Sequence, residues 1–177
     1  MSEAEGQPAN GGEEPLPREF MILLNPDHRI YQRVDSQAFG DFAMSVLDAI
    51  KGHFAASPGG PGFDLQVACA VLPGGRLLIE LQTLPRMGQS DELDRLRERL
   101  QGLPRPRVSG GPVGFASRDM IRGGCAEGEL AFAFPFSSLA RPGDARLLDD
   151  VLMEAGGVAP QRSWWAGIKR AIGLGSG

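Results

Sequence analysis

FDLQVACAVLPGGRLLIELQTLPRMGQSDELDRLRERLQGL, residues 63–103, reads as a β-hairpin followed by an amphipathic helix. Two runs rich in Val, Ile and Leu, 65–72 and 76–84, flank Pro73-Gly74-Gly75, and glycine supplies the positive φ angles of tight hairpin turns. A turn centred on Gly74-Gly75 would pair Leu72 with Leu77, Ala70 with Ile79 and Ala68 with Leu81. Those six side chains would then form one apolar face, with Val71, Leu78, Cys69, Glu80, Val67 and Gln82 on the other. Ser90 is a good helix N-cap, Asp91 and Glu92 suit the positive end of the helix dipole, and Leu93, Leu96 and Leu100 recur at helical spacing. Asp91–Arg95 and Asp94–Arg97 are favourably spaced opposite charges. Gly102 and Pro104 end the helix.

The same plan is expected on either side. FMILLNPDHRIYQRV, 20–34, predicts a second hairpin turning at Asn25-Pro26-Asp27-His28, a sequence suited to a type I turn. A helix capped by Asp35 or Ser36 follows, with Phe39, Phe42, Ala43, Val46, Ile50 and Phe54 on one stripe. Further on, 113–117 and 129–136 are expected strands around an 118–128 loop. Leu130, Phe132, Phe134 and Phe136 there alternate with the period of a strand. A last helix would start at Asp144, turn Leu147, Leu148, Val151 and Leu152 inward and stop at Gly156. The expected fold is α+β: a largely antiparallel sheet built from three β-hairpin-plus-helix (ββα) units, with the helices on one face.

The expected organisation is a disordered acidic leader over 1–18, one domain over 19–157, and a C-terminal basic amphipathic helix and tail over 158–177. The order of the Pro-x-x-Arg hairpin, the Leu-rich helix, Leu103-Pro104-Arg105-Pro106 and Gly111-Pro112-Val113 resembles, over 66–117, the C-terminal domain of TonB-type periplasmic proteins. No function is carried across from that resemblance.

Chemistry is thinly marked. A net charge of −4 argues against a general nucleic-acid binder. Two cysteines, Cys69 and Cys125, and two histidines, His28 and His53, at scattered spacings, form neither a disulfide framework nor a zinc pattern. Glycine-rich 109–114 lacks the Gly-Lys-Ser/Thr ending of a phosphate loop. No cofactor or metal is expected. No apolar stretch approaches the roughly 20 residues of a membrane span, and a cytoplasmic location is the expectation.

The C-terminus is the most unusual stretch. QRSWWAGIKRAIGL, 161–174, sets Trp164 and Trp165 beside Arg162, Lys169 and Arg170, with Trp165, Ile168 and Ile172 on one helical stripe. Such a helix suits a groove on a protein partner or a membrane surface. Gly156, Gly157 and Pro160 separate it from the domain. The functional reading is therefore a non-catalytic protein-binding or scaffold component that docks through Trp164, Trp165, Ile168, Lys169, Arg170 and Ile172. The alternatives are a peripheral membrane adaptor and an enzyme whose site lies near the 117–128 loop, where Arg118, Asp119 and Cys125 would converge. A homo-oligomer is compatible with all three.

Overall fold

A three-residue loop closes the central hairpin. The computed structural model describes residues 19–88, 90–125, 132–133, 135–136 and 148–155. Leu72 N donates to Arg76 O at 2.8 Å, and Gly75 N donates to Leu72 O at 2.9 Å. Gly74 and Gly75 hold φ of 89° and 81°, left-handed angles that glycine adopts without a Cβ clash. Pro73 is thus part of the loop, and the register moves by one residue from that of a two-residue turn. The strands β1 (Phe20–Leu23), β2 (Phe63–Val71), β3 (Leu77–Leu84) and β4 (Val113–Ile121) build one sheet. Within it, Val71 opposes Leu77, Cys69 opposes Ile79 and Val67 opposes Leu81. A one-residue slip exchanges the faces of a strand. Leu77, Ile79 and Leu81 therefore lie on the main-core side as expected, but they do so with Val67, Cys69 and Val71, while Ala68 and Ala70 turn to the other side.

The expected first hairpin does not form. Residues 27–33 are helix α1 (Asp27–Arg33), not a second strand. A type I turn has nearly the backbone angles of one helical turn, so Asn25-Pro26-Asp27 can begin either. Here Pro26 O accepts from Arg29 N at 2.9 Å and from Ile30 N at 3.3 Å, and the turn continues. Ile30 and Val34, four residues apart, both reach the core. Arg29 and Arg33, also four apart, both reach Asp149 Oδ2, at 2.9 and 2.7 Å.

Helix α2 (Ser36–Ala55) follows the sequence closely: Asp35 accepts from Ala38 N at 2.8 Å, and Phe39, Phe42, Ala43, Val46, Ile50 and Phe54 are all buried. Helix α3 (Asp91–Gln101) starts at Ser90, buries Leu93, Leu96 and Leu100 and forms the Asp94–Arg97 pair. Strand β4 runs on through Arg118-Asp119-Met120, which were expected in a loop. It lies between β1 and β2, so Arg118 pairs with both Phe20 and Gln66, and two partner strands override weak local propensity. The strand expected over 129–136 is not seen at its described positions: Phe132 and Ala133 are irregular, and Pro135 and Phe136 form a turn.

The sheet order is β1-β4-β2-β3, with every neighbouring pair antiparallel. It follows that β1 and β2 run the same way on either side of β4, and β3 and β4 run the same way on either side of β2. Helix α2 carries the chain from β1 to β2, and α3 carries it from β3 to β4. These are two interleaved β–α–β crossovers, each skipping one strand. Their helices pack together on one face. The three-unit ββα plan therefore holds only for β2–β3–α3.

Helix α4 (Leu148–Ala155) is on the other face, so the helices do not all share one side. Its Leu152 packs with Ala68, Ala70, Ala116 and Phe136. Asn25 Nδ2 donates to Asp149 Oδ1 at 2.9 Å, which with the two arginines fixes the start of α4 to α1. The expected helix start at Asp144, and all of 1–18 and 156–177, lie outside the described residues.

Candidate docking edge

Helix α1 takes the residues that would have covered β1. β1 is consequently an edge strand, with β4 on one side and no strand on the other among the described residues. Leu24 N donates to Gly114 O at 2.9 Å. Antiparallel strands alternate in the direction of their backbone groups. Ile22 and Phe20, in step with Leu24, therefore turn their N–H and C=O toward β4. Met21 and Leu23 turn theirs outward, to the free edge.

The side chains there are apolar and exposed: Met21, Ile22 and Leu23 have 46, 42 and 45% of their surface open. Natural sheets usually guard such an edge with charge, proline or a bulge, and Phe20–Leu23 has none of the three within it. Met21 pairs with Ser117 and Leu23 with Phe115, and Phe115 packs against Phe39 and Phe42 of α2. Met21 and Leu23 thus lie on the helix-covered side of the sheet. Above them, the flank of α2 carries exposed Met44 and half-buried Leu47. Lys51 lies two turns beyond Met44 on the same stripe. Exposed strand edge and exposed helix flank together present an apolar, groove-like surface at the β1 end of the sheet.

The groove opens at one end into a cleft of about 420 Å³ lined by Glu19, Ile50, Lys51, Phe54, Asp119 and Met120, with Arg122 at its margin. Arg122 is already engaged, donating to Glu92 Oε1 at 2.6 Å and to Ser57 O. Asp119 accepts from the Ser117 hydroxyl at 3.1 Å. Burial pushes the Asp119 carboxyl above its ordinary range; the Ser117 bond and Lys51 oppose that rise, and Glu19 adds to it. A second cleft, of about 470 Å³ at the start of α3, is bordered by the same Arg122–Glu92 pair.

Arg118 and Cys125 come together at Asp64, but Asp119 does not join them. Successive strand residues point to opposite faces, so Asp119 faces the groove while Arg118 lies behind the sheet. There Arg118 donates to Asp64 Oδ2 from Nη2 at 2.7 Å and from Nε at 3.2 Å, and Cys125 N donates to Asp64 Oδ1 at 3.0 Å. The Arg118 guanidinium also lies 5.1 Å from the centre of the Phe132 ring. Ala133 N donates to Gln82 at 3.1 Å and Phe136 N to Glu80, so Ala133 and Phe136 are tied across the back of the sheet. Burial pushes the Cys69 thiol up to about 12, which leaves it protonated and unreactive at neutral pH. His28 is exposed in the first turn of α1, and His53 stands edge-on to Phe54 at 4.9 Å. Among the described residues no group of His, Cys, Asp and Glu is arranged to hold a metal, and no helix is long and apolar enough to cross a membrane. Trp164, Trp165, Ile168, Lys169, Arg170 and Ile172 lie outside the described residues.

The β1 edge was not foreseen from sequence. Its one signal, five consecutive apolar residues (20–24) followed by Asn25-Pro26, reads equally as half of a hairpin. Compared with protein-family models, curated proteins and solved structures, the chain shows no match.

Proposed function

We propose that this chain is a non-catalytic protein-binding component that captures an extended segment of a partner by strand addition at β1. The observation that carries this reading is the outward-facing backbone of Met21 and Leu23, set in an exposed apolar edge. Strand addition draws affinity from such main-chain groups and specificity from pockets for alternate side chains. The basic Trp-containing segment 161–174 is a second docking element for the same scaffold role, favoured by its sequence: its two tryptophans are the only ones in the chain, and Trp anchors often dominate binding energy. A cytoplasmic setting is part of the same proposal.

One comparison tests both elements. The full chain, a Leu23→Pro variant and a 1–158 truncation are used as baits in a native extract. Proline at Leu23 deletes an outward N–H and no bond to β4, so its melting temperature should stay within a few degrees of the parent. The partner retained by the full chain should be lost by about tenfold or more from Leu23→Pro, since one hydrogen bond and its steric replacement amount to about 1.4 kcal/mol. Retention by Leu23→Pro with loss from the truncation would move the docking site to the C-terminal segment. Retention by both would remove both elements.

A further inference from the structure

We infer that the segment taken up at β1 is antiparallel to it and reads apolar-x-apolar-x-basic, its lysine or arginine lying at the C-terminal end and entering the cleft of Glu19 and Asp119. This rests on the strand-addition reading and specifies its ligand.

The direction follows from the sheet. Every neighbouring pair in it is antiparallel, and antiparallel ladders are slightly more stable per residue than parallel ones. The spacing follows from the outward backbone groups. A residue bonded to Met21 has neighbours two positions away that oppose Leu23 and Glu19. Directly opposed residues share a face, so these three side chains of the ligand all lie on the groove side. Two of them meet exposed Met21 and Leu23, on the side of the sheet where α2 exposes Met44 and half-buries Leu47. The third arrives beside Glu19.

Charge decides what the third must be. The cleft holds two carboxylates, Glu19 and Asp119, against one uncommitted cation, Lys51, because Arg122 is held by Glu92. Among the described residues, Glu19 accepts only from the Met120 N–H, at 3.4 Å, and Asp119 from the Ser117 hydroxyl, at 3.1 Å, so the carboxylates outnumber the cation beside them and a basic side chain redresses the balance. Because β1 enters from Glu19, the basic residue of an antiparallel ligand comes last. A glutamate at that place would face two like charges.

The test is a displayed library of random octapeptides, panned against the full chain. Enriched sequences are then resynthesised with lysine, glutamine or glutamate at the basic position. Enriched peptides should share the apolar-x-apolar-x-basic spacing. The lysine form should bind about tenfold more tightly than the glutamate form, the scale of one hydrogen bond to a charged group. In a Glu19→Gln, Asp119→Asn double variant, which keeps the acceptor oxygens, the two forms should bind within about twofold. All binding should fail in Leu23→Pro. Peptides that need Leu23 but bind equally well with lysine or glutamate would overturn the basic anchor and leave strand addition standing. A failure to enrich any peptide, or binding indifferent to Leu23→Pro, would overturn strand addition itself.

Discussion

Replacing Asp64 with alanine is expected to lower the unfolding free energy by about 3–5 kcal/mol, the scale on which removing one partner of a buried ion pair acts. Asp64 is 0% exposed. Its carboxylate joins three parts of the chain: β2 through its own backbone, β4 through the double contact from Arg118, and the Cys125 backbone N–H. Alanine would leave a largely buried guanidinium beneath Phe132 and a buried N–H, each without this acceptor. Asp64→Asn should fall between alanine and the parent, because it keeps an acceptor for Cys125 N but loses the charge. An Asp64→Ala, Arg118→Ala pair should cost less than the sum of the two single changes, since the second removes the charge that the first exposes. Chemical denaturation of the four variants, Arg118→Ala included, measures this. A loss below about 1 kcal/mol for Asp64→Ala would mean that the link between β2, β4 and the Cys125 turn does not hold the fold.

Phe115→Ala should be comparably damaging, at about 3–5 kcal/mol, the usual cost of emptying a buried phenylalanine site. Phe115 is completely buried in β4. Its ring meets Phe39 at 6.0 Å and Phe42 at 6.1 Å, both edge-on, and such pairs add to the value of the buried area alone. This is the contact that seats α2 over β4, so it also fixes the flank of α2 above the β1 edge. Phe115→Leu keeps most of the volume and should cost no more than about 1.5 kcal/mol. Equal losses for leucine and alanine would show that the aromatic contacts matter more than the space they fill. A negligible loss for alanine would place α2 elsewhere.

The elements read correctly from sequence are those decided locally. Asp35 and Ser90 cap helices whose apolar stripes are complete within one segment, so α2 and α3 were legible almost residue by residue. The two central strands were legible as well, but their register was not. Pro73-Gly74-Gly75 fits a two-residue turn centred on the glycines and a three-residue loop that includes the proline, and only the Leu72–Arg76 pairing distinguishes them. Helix α1 was hidden for a different reason. Asn25-Pro26-Asp27 opens a turn or a helix with the same angles, and the helix is held in part by Asp149, 120 residues from Arg29. The full length of β4 was hidden because Arg118 and Asp119 look like loop residues until their partners on β1, β2 and Asp64 are known. The candidate edge inherits the α1 problem: it exists only because residues 27–33 leave the sheet.

The outer edge of β1, which no strand covers among the described residues, is proposed to take up a partner, and residue-resolved amide hydrogen exchange tests this most directly. In the free chain, the amides of Ile22 and Leu24, bonded to β4, should be protected, and those of Met21 and Leu23 should exchange much faster. Addition of a bound peptide selected as above should slow exchange at Met21 and Leu23 while leaving Ile22 and Leu24 nearly unchanged, since a new ladder protects only the groups it bonds. Protection of Met21 and Leu23 in the free chain, or a bound peptide that protects other residues and leaves these two fast, would contradict the account.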